Sequence, residues 1–102
     1  MSDDDNDDNL TDEKAALLAA MANEKRLRIL IALSNGETSV GDLAEYVELS
    51  QSALSQHLSK LRKDRLVKTR RDAQTVYYST RDPRVLKMLE ALAQIFDAAE
   101  PG

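Results

Sequence analysis

The side chains with the most chemistry to offer crowd into one short stretch, "LSQSALSQHLSKLRKDRLV", residues 49–67. It holds Ser50, Ser52, Ser55 and Ser59, Gln51 and Gln56, the chain's single histidine His57, and the cations Lys60, Arg62, Lys63 and Arg65. Hydroxyls and carboxamides both donate and accept hydrogen bonds. That is the repertoire needed to read base edges in a major groove, while lysine and arginine suit phosphates. The same chain offers little to catalysis. It has no Gly-rich phosphate loop, no nucleophile paired with a base and no ligand cluster, so no catalytic residue is assigned and an enzyme is not expected. With zero cysteines there is no disulfide, thiolate zinc site or thiol switch. No metal and no cofactor are expected.

Serine is a mediocre helix former, so the stretch raises the question of what holds it helical. Advancing about 100° per residue puts Leu58 and Leu61 within about 40° of Leu54, in one narrow stripe suited to a core. Ser52, Ser59, Lys63 and Gln56 fall roughly opposite, with Gln51 and Ser55 on one flank and His57 and Lys60 on the other. One face is apolar. The other carries polar reading groups at its start and, with Lys60, Arg62 and Lys63, cations at its end. A solvated outer face is the plainer alternative.

The elements that would position this helix are legible on both sides. Leu17, Leu18 and Met21 give a first helix over about 12–22 an apolar side, and Asn23 caps a second over about 24–34 with Leu27, Leu30, Ile31 and Leu33 at helical spacing. "SNGET" breaks the pattern. Ser39 begins a third helix, with Asp42 three residues on as its capping partner. A short turn at Glu48 leads to Ser50, the cap of the quoted helix. "LVKTRRD" and "TVYYST" then read as a two-stranded hairpin with one of Tyr77 and Tyr78 facing the core. Asp82 followed by Pro83 starts a last helix over about 83–98. The fold class is mostly α with a small β-hairpin wing: a winged helix–turn–helix.

The formal net charge of −4 averages two opposite regions. Residues 1–13 contain seven acids and no base, whereas residues 60–87 carry ten Lys and Arg against three Asp, a net +7. That asymmetry points toward nucleic acid. Residues 1–10 are expected to be a disordered acidic tail, residues 11–98 one DNA-binding and dimerisation domain, and residues 99–102 a C-terminal tail. A domain this small has a thin core, which a dimer interface would supplement. No window approaches 18 consecutive apolar residues, and the acidic start is unlike a signal peptide. A cytoplasmic, nucleoid-associated protein without membrane contact is expected.

"MANEKRLRILIAL", "VGDLAEYVELSQSALSQHLSKLRKDRLVKTRRDAQTVYYS" and the closing helix resemble the ArsR/SmtB family of bacterial repressors, in its NolR/HlyU-like branch without sensor cysteines. The similarity covers about residues 15–97. It implies a winged helix–turn–helix homodimer that binds double-stranded DNA at an inverted repeat and represses transcription. Carried across by motif, Gln51, Ser52, Ser55 and Gln56 read the groove, with His57 close to phosphate or base; a packing role for His57 stays open. Arg70, Arg71 and Gln74 belong to the wing and reach toward backbone or minor groove. First and last helices pair between subunits, which assigns Leu17, Leu18, Met21, Leu89, Leu92, Ile95 and Phe96 to the interface. Glu48 stands where such turns often carry glycine, so the turn is expected to differ slightly.

The family's sensing sites do not carry over. The metal-binding cysteine pair corresponds to Ser39 and Gly41, the last-helix zinc pattern keeps only Asp82, and the thiol pair aligns with Ile31 and Asp97. Metal or thiol sensing is not expected. A repressor set by its own abundance is favoured over one answering an unknown ligand, pH or partner. A winged helix that binds only protein is the competing class, disfavoured by the basic wing and polar helix face. Activation by displacing another DNA-binding protein stays open.

Overall fold

The computed structural model describes residues 2–97, with side chains described from Leu10 onward. Its elements are α1 (Ser2–Met21), α2 (Glu24–Ser34), β1 (Thr38–Ser39), α3 (Val40–Val47), α4 (Gln51–Lys63), β2 (Lys68–Asp72), β3 (Thr75–Ser79) and α5 (Pro83–Asp97). The α1 backbone thus runs back through the acidic stretch expected to be a tail. The side chains of residues 2–9 and the whole of residues 98–102, including the C-terminal tail, lie outside the described residues.

Local chemistry accounts for the helix ends. Asn23 accepts from the Arg26 amide at 3.0 Å, Ser39 from Asp42 at 3.2 Å, Ser50 from Ala53 at 3.1 Å and Asp82 from Arg84 at 2.8 Å. Each side-chain oxygen satisfies an amide that the first helical turn leaves without a partner. At the other end of α1, the Arg26 side chain donates to the carbonyls of Ala20 (2.6 Å) and Ala19 (3.3 Å), tying α1 to α2. Lys25 donates to the Val47 carbonyl at 2.9 Å and ties α2 to the end of α3.

The core follows the stripes read in the sequence except on α2, where Ile29 is buried in place of the expected Ile31, which is 41% exposed. Ile29, Leu30 and Leu33 of α2, Leu43, Ala44 and Val47 of α3, and Leu54, Leu58 and Leu61 of α4 are buried together with Leu66, Val67, Tyr78 and Val85. Buried Thr80 donates to the Leu66 carbonyl at 2.7 Å, so its hydroxyl is satisfied. Of the two tyrosines on β3, Tyr78 is the core residue.

The sheet differs from the expected hairpin by a third strand. Its order is β1-β3-β2, all antiparallel, with Thr38 opposite Tyr78 and Ser39 opposite Tyr77 on one side of β3. On the other side Thr69 faces Tyr78, Arg70 faces Tyr77 and Arg71 faces Val76. A strand of two residues carries no periodicity, so β1 has no signal of its own in the sequence. It matters for position: β1 runs straight into α3, with Ser39 serving as both strand residue and helix cap.

Among the described residues, three that are not glycine take left-handed backbone conformations: Glu48 (φ 57°), Arg65 (φ 61°) and Ala73 (φ 58°). Glu48 closes α3, with the Leu49 amide donating to Ala44 at 3.0 Å; Arg65 closes α4, with the Leu66 amide donating to Leu61 at 2.9 Å. Both bonds have the six-to-one pattern of a Schellman cap. The Glu48 turn therefore takes the glycine-type geometry despite the missing glycine. Ala73 opens the two-residue turn between β2 and β3.

Candidate nucleic-acid interface

Along α4 the structure separates two faces. Leu54, Leu58 and Leu61 are buried, while Gln51, Ser52, Ser55, Gln56, Ser59, Lys60, Arg62 and Lys63 are exposed. The hydroxyl and carboxamide groups occupy the first half of the helix. At its N-terminus the backbone amides add partial positive charge, which favours an approaching phosphate. The cations occupy the last turns.

His57 does not share that open face. It is half-buried, and its pKa is lowered first by burial and then by the nearby Arg26 guanidinium. It is therefore neutral around neutral pH, a hydrogen-bonding ring and not a cation. The linkage has a definite sign. The unfolded chain's histidine takes up a proton below its ordinary 6.5 while the folded one resists, so this contribution to stability is complete above 6.5 and is lost as pH falls through the folded value. Thermal unfolding followed between about pH 7 and 5 should show a declining midpoint, and His57→Gln should flatten that decline.

The basic end is less uniformly available than its charge count implies. Lys60 pairs with Asp64 at 3.5 Å, Arg84 with Asp82 at 2.7 Å, and Arg70 with Glu37 at 2.7 Å. Among the described residues no ion pair engages Arg62, Lys63, Lys68 or Arg71, all of which are exposed. In the wing, Arg71 and Gln74 are exposed and Arg71 shares the ribbon face of Val76 and core-directed Tyr78. Arg70 lies on the opposite face with Tyr77, its guanidinium 4.8 Å from that ring's centroid. Its Nε donates to Glu37 Oε2 at 2.9 Å and its Nη2 to Oε1 at 2.7 Å. Sequence reasoning assigned Arg70 to DNA and passed over Glu37. The two are 33 positions apart, and only the β1-β3-β2 order brings them together.

The expected dimer residues divide similarly. Met21 is 3% exposed in the chain's own core, so it is not free for a partner, and Leu17, Leu89 and Leu92 are partly covered. Leu18 (50%), Ile95 (61%) and Phe96 (69%) stand open. Of α5 only Val85 is fully buried. Leu27 and Ile31 of α2 with Leu86, Leu89, Leu92 and Phe96 of α5 line an apolar groove of about 630 Å³.

A helix pair closed by a tight turn, a second helix with a polar outer face and a following ribbon define a winged helix–turn–helix of the DNA-binding kind. The chain belongs to the arsR family of bacterial regulatory proteins, whose family model matches residues 23–69. It is 62% identical over 82 residues to the nodulation protein NolR of Rhizobium meliloti, covering 80% of this chain and 67% of that protein. It is 55% identical over 80 residues to the transcriptional activator HlyU of Vibrio cholerae, covering 78% and 74%. The crystal structure of NolR from Sinorhizobium fredii superposes with a TM-score of 0.84 at 55% identity, over 89% of this chain and 91% of that one. The solution structure of a homodimeric winged helix–turn–helix DNA-binding domain from Mycobacterium bovis matches with a TM-score of 0.79 at 29% identity, over 91% and 86%.

Proposed function

We infer that the chain is a homodimeric transcriptional repressor that binds an inverted-repeat operator, with α4 of each subunit in a major groove and the wing beside it on the backbone. The observation that carries this is the exposed Gln51, Ser52, Ser55 and Gln56 face on a helix locked to the core by Leu54, Leu58 and Leu61. Arg62, Lys63, Lys68 and Arg71, exposed and without an ion pair among the described residues, would meet phosphate. A relative described as a homodimeric DNA-binding domain supports the subunit arrangement, and the open surface of α5 supplies an apolar face for it. Binding DNA would put the protein on the nucleoid. Two copies would set their α4 helices about 34 Å apart, one turn of DNA.

Selection from random duplex DNA tests this directly. The expected product is a palindromic motif whose affinity falls steeply with salt. Gln56→Ala should relax preference at one position in each half-site by about 1–3 kcal/mol. Arg71→Ala should weaken all sequences alike and reduce the salt slope by about 0.9 per subunit. Recovery of no motif would overturn the proposal. A second reading, activation by displacing another DNA-binding protein, is favoured by the similarity to a protein described as a transcriptional activator. Occupancy of a selected site with a rise in transcription would establish it.

A further inference from the structure

The wing hairpin extends beyond the core: every residue of β2 is exposed. A two-stranded ribbon is marginal alone, so something must fix its angle to the helices. β1 pairs with β3 through only Thr38 and Ser39. Above those short pairings, on the face away from Tyr78, one side chain crosses the whole sheet. Arg70 starts on the β2 edge, passes over the Tyr77 ring of the central strand at 4.8 Å, and ends in a two-pronged hydrogen bond to Glu37, the residue just before β1. Two strand spacings amount to roughly 9.6 Å, which an arginine and a glutamate together can span. The fork geometry specifies direction as well as attraction. β1 leads directly into α3, the first helix of the helix–turn–helix. The far end of the crossing is thus anchored to the reading head.

We propose that this Glu37–Arg70–Tyr77 strap sets the angle of the wing to the helix–turn–helix, which makes Glu37 a positioning residue for DNA binding and removes Arg70 from the phosphate contacts. The role rests on the DNA-binding reading above and assigns the wing's contact to Arg71. Arg70 holds the Glu37 carboxyl below the usual carboxylate range, chiefly by hydrogen bonding, and Arg81 adds a weaker attraction, so the strap is charged on both sides at neutral pH. Arg70 is in turn held charged by Glu37, with Asp72 and Tyr77 contributing.

The test uses the full chain and the duplex selected above. Backbone ¹⁵N relaxation of residues 68–79 reports wing motion, and operator affinity is measured across salt concentrations. Glu37→Gln and Arg70→Ala should each loosen the wing and weaken binding several-fold, with no drop in salt slope for Arg70→Ala. Arg71→Ala should lower the slope by about 0.9 per subunit and leave the wing ordered. Because the strap is on the surface, circular dichroism should show all variants folded. The exchanged pair Glu37→Arg with Arg70→Glu should restore wing order and much of the affinity, though position 70 then carries a carboxylate. A slope loss for Arg70→Ala equal to that of Arg71→Ala, tighter binding by Glu37→Gln, an unloosened wing, or failure of the exchanged pair would each overturn the strap. Absence of selective binding by the unaltered chain would instead overturn the DNA reading, and the positioning role with it.

Discussion

Replacing Phe96 with Asp should convert the protein from dimer to monomer and lower its affinity for a two-half-site operator by about 10²–10⁴-fold. The size of the effect follows from the geometry of linked sites. Once one subunit is bound, the second meets its half-site at a high local concentration, and that advantage vanishes when the subunits part. The variant is informative because Phe96 is 69% exposed in the single chain and Ile95 beside it 61%. Little intramolecular packing is lost, so the fold should survive. A carboxylate at an apolar interface, by contrast, has no partner for its charge. Sedimentation equilibrium would give the subunit count, and titrations against whole and half operators would give the two affinities. A dimer of undiminished affinity would place the interface elsewhere than on α5.

The second large effect is on stability. Leu58 is 2% exposed at the middle of the α4 stripe, and Leu58→Ala should destabilise the domain by about 2–5 kcal/mol through lost burial and an unfilled cavity. Small domains are stable by only about 5–15 kcal/mol. The unfolding midpoint should therefore drop by roughly 10–30 °C. Ser59→Ala, the next residue but on the exposed face, should stay within about 0.5 kcal/mol. Both midpoints must be taken at one protein concentration, because association adds to apparent stability. Equal effects from the two substitutions would mean that the faces of α4 are misassigned.

The contrast between Leu58 and Ser59 shows what a sequence can and cannot disclose. The α4 stripe, the caps at Asn23, Ser39, Ser50 and Asp82, and the burial of one of the paired tyrosines all depend on neighbours within a few positions. Spacing and residue type are enough for those. Resemblance to a family added the roles expected of the wing residues and the pairing of subunits. Strand β1 escaped because two residues have no period. The direction of Arg70 escaped because its acceptor, Glu37, is remote in sequence and adjacent only across the folded sheet. The burial of Met21 within its own chain escaped for a related reason. A helical wheel shows that a side chain is apolar, and the bend into α2, braced by Arg26, decides whether it turns toward its own core or away.

Glu48, Arg65 and Ala73 stand at the three joints of the reading apparatus: before α4, after it, and at the tip of the ribbon. Each left-handed residue with a Cβ costs about 1–2 kcal/mol relative to the right-handed helix. Glycine would relieve that strain, and it would also let each joint swing through a wide range of φ. A side chain confines the joint to one narrow basin and leaves the unfolded chain fewer states to lose. In the free protein these three turns are thereby already narrowed. Little conformational entropy remains to be surrendered when a groove is met, so the strain stored in three turns reappears as preorganisation for binding.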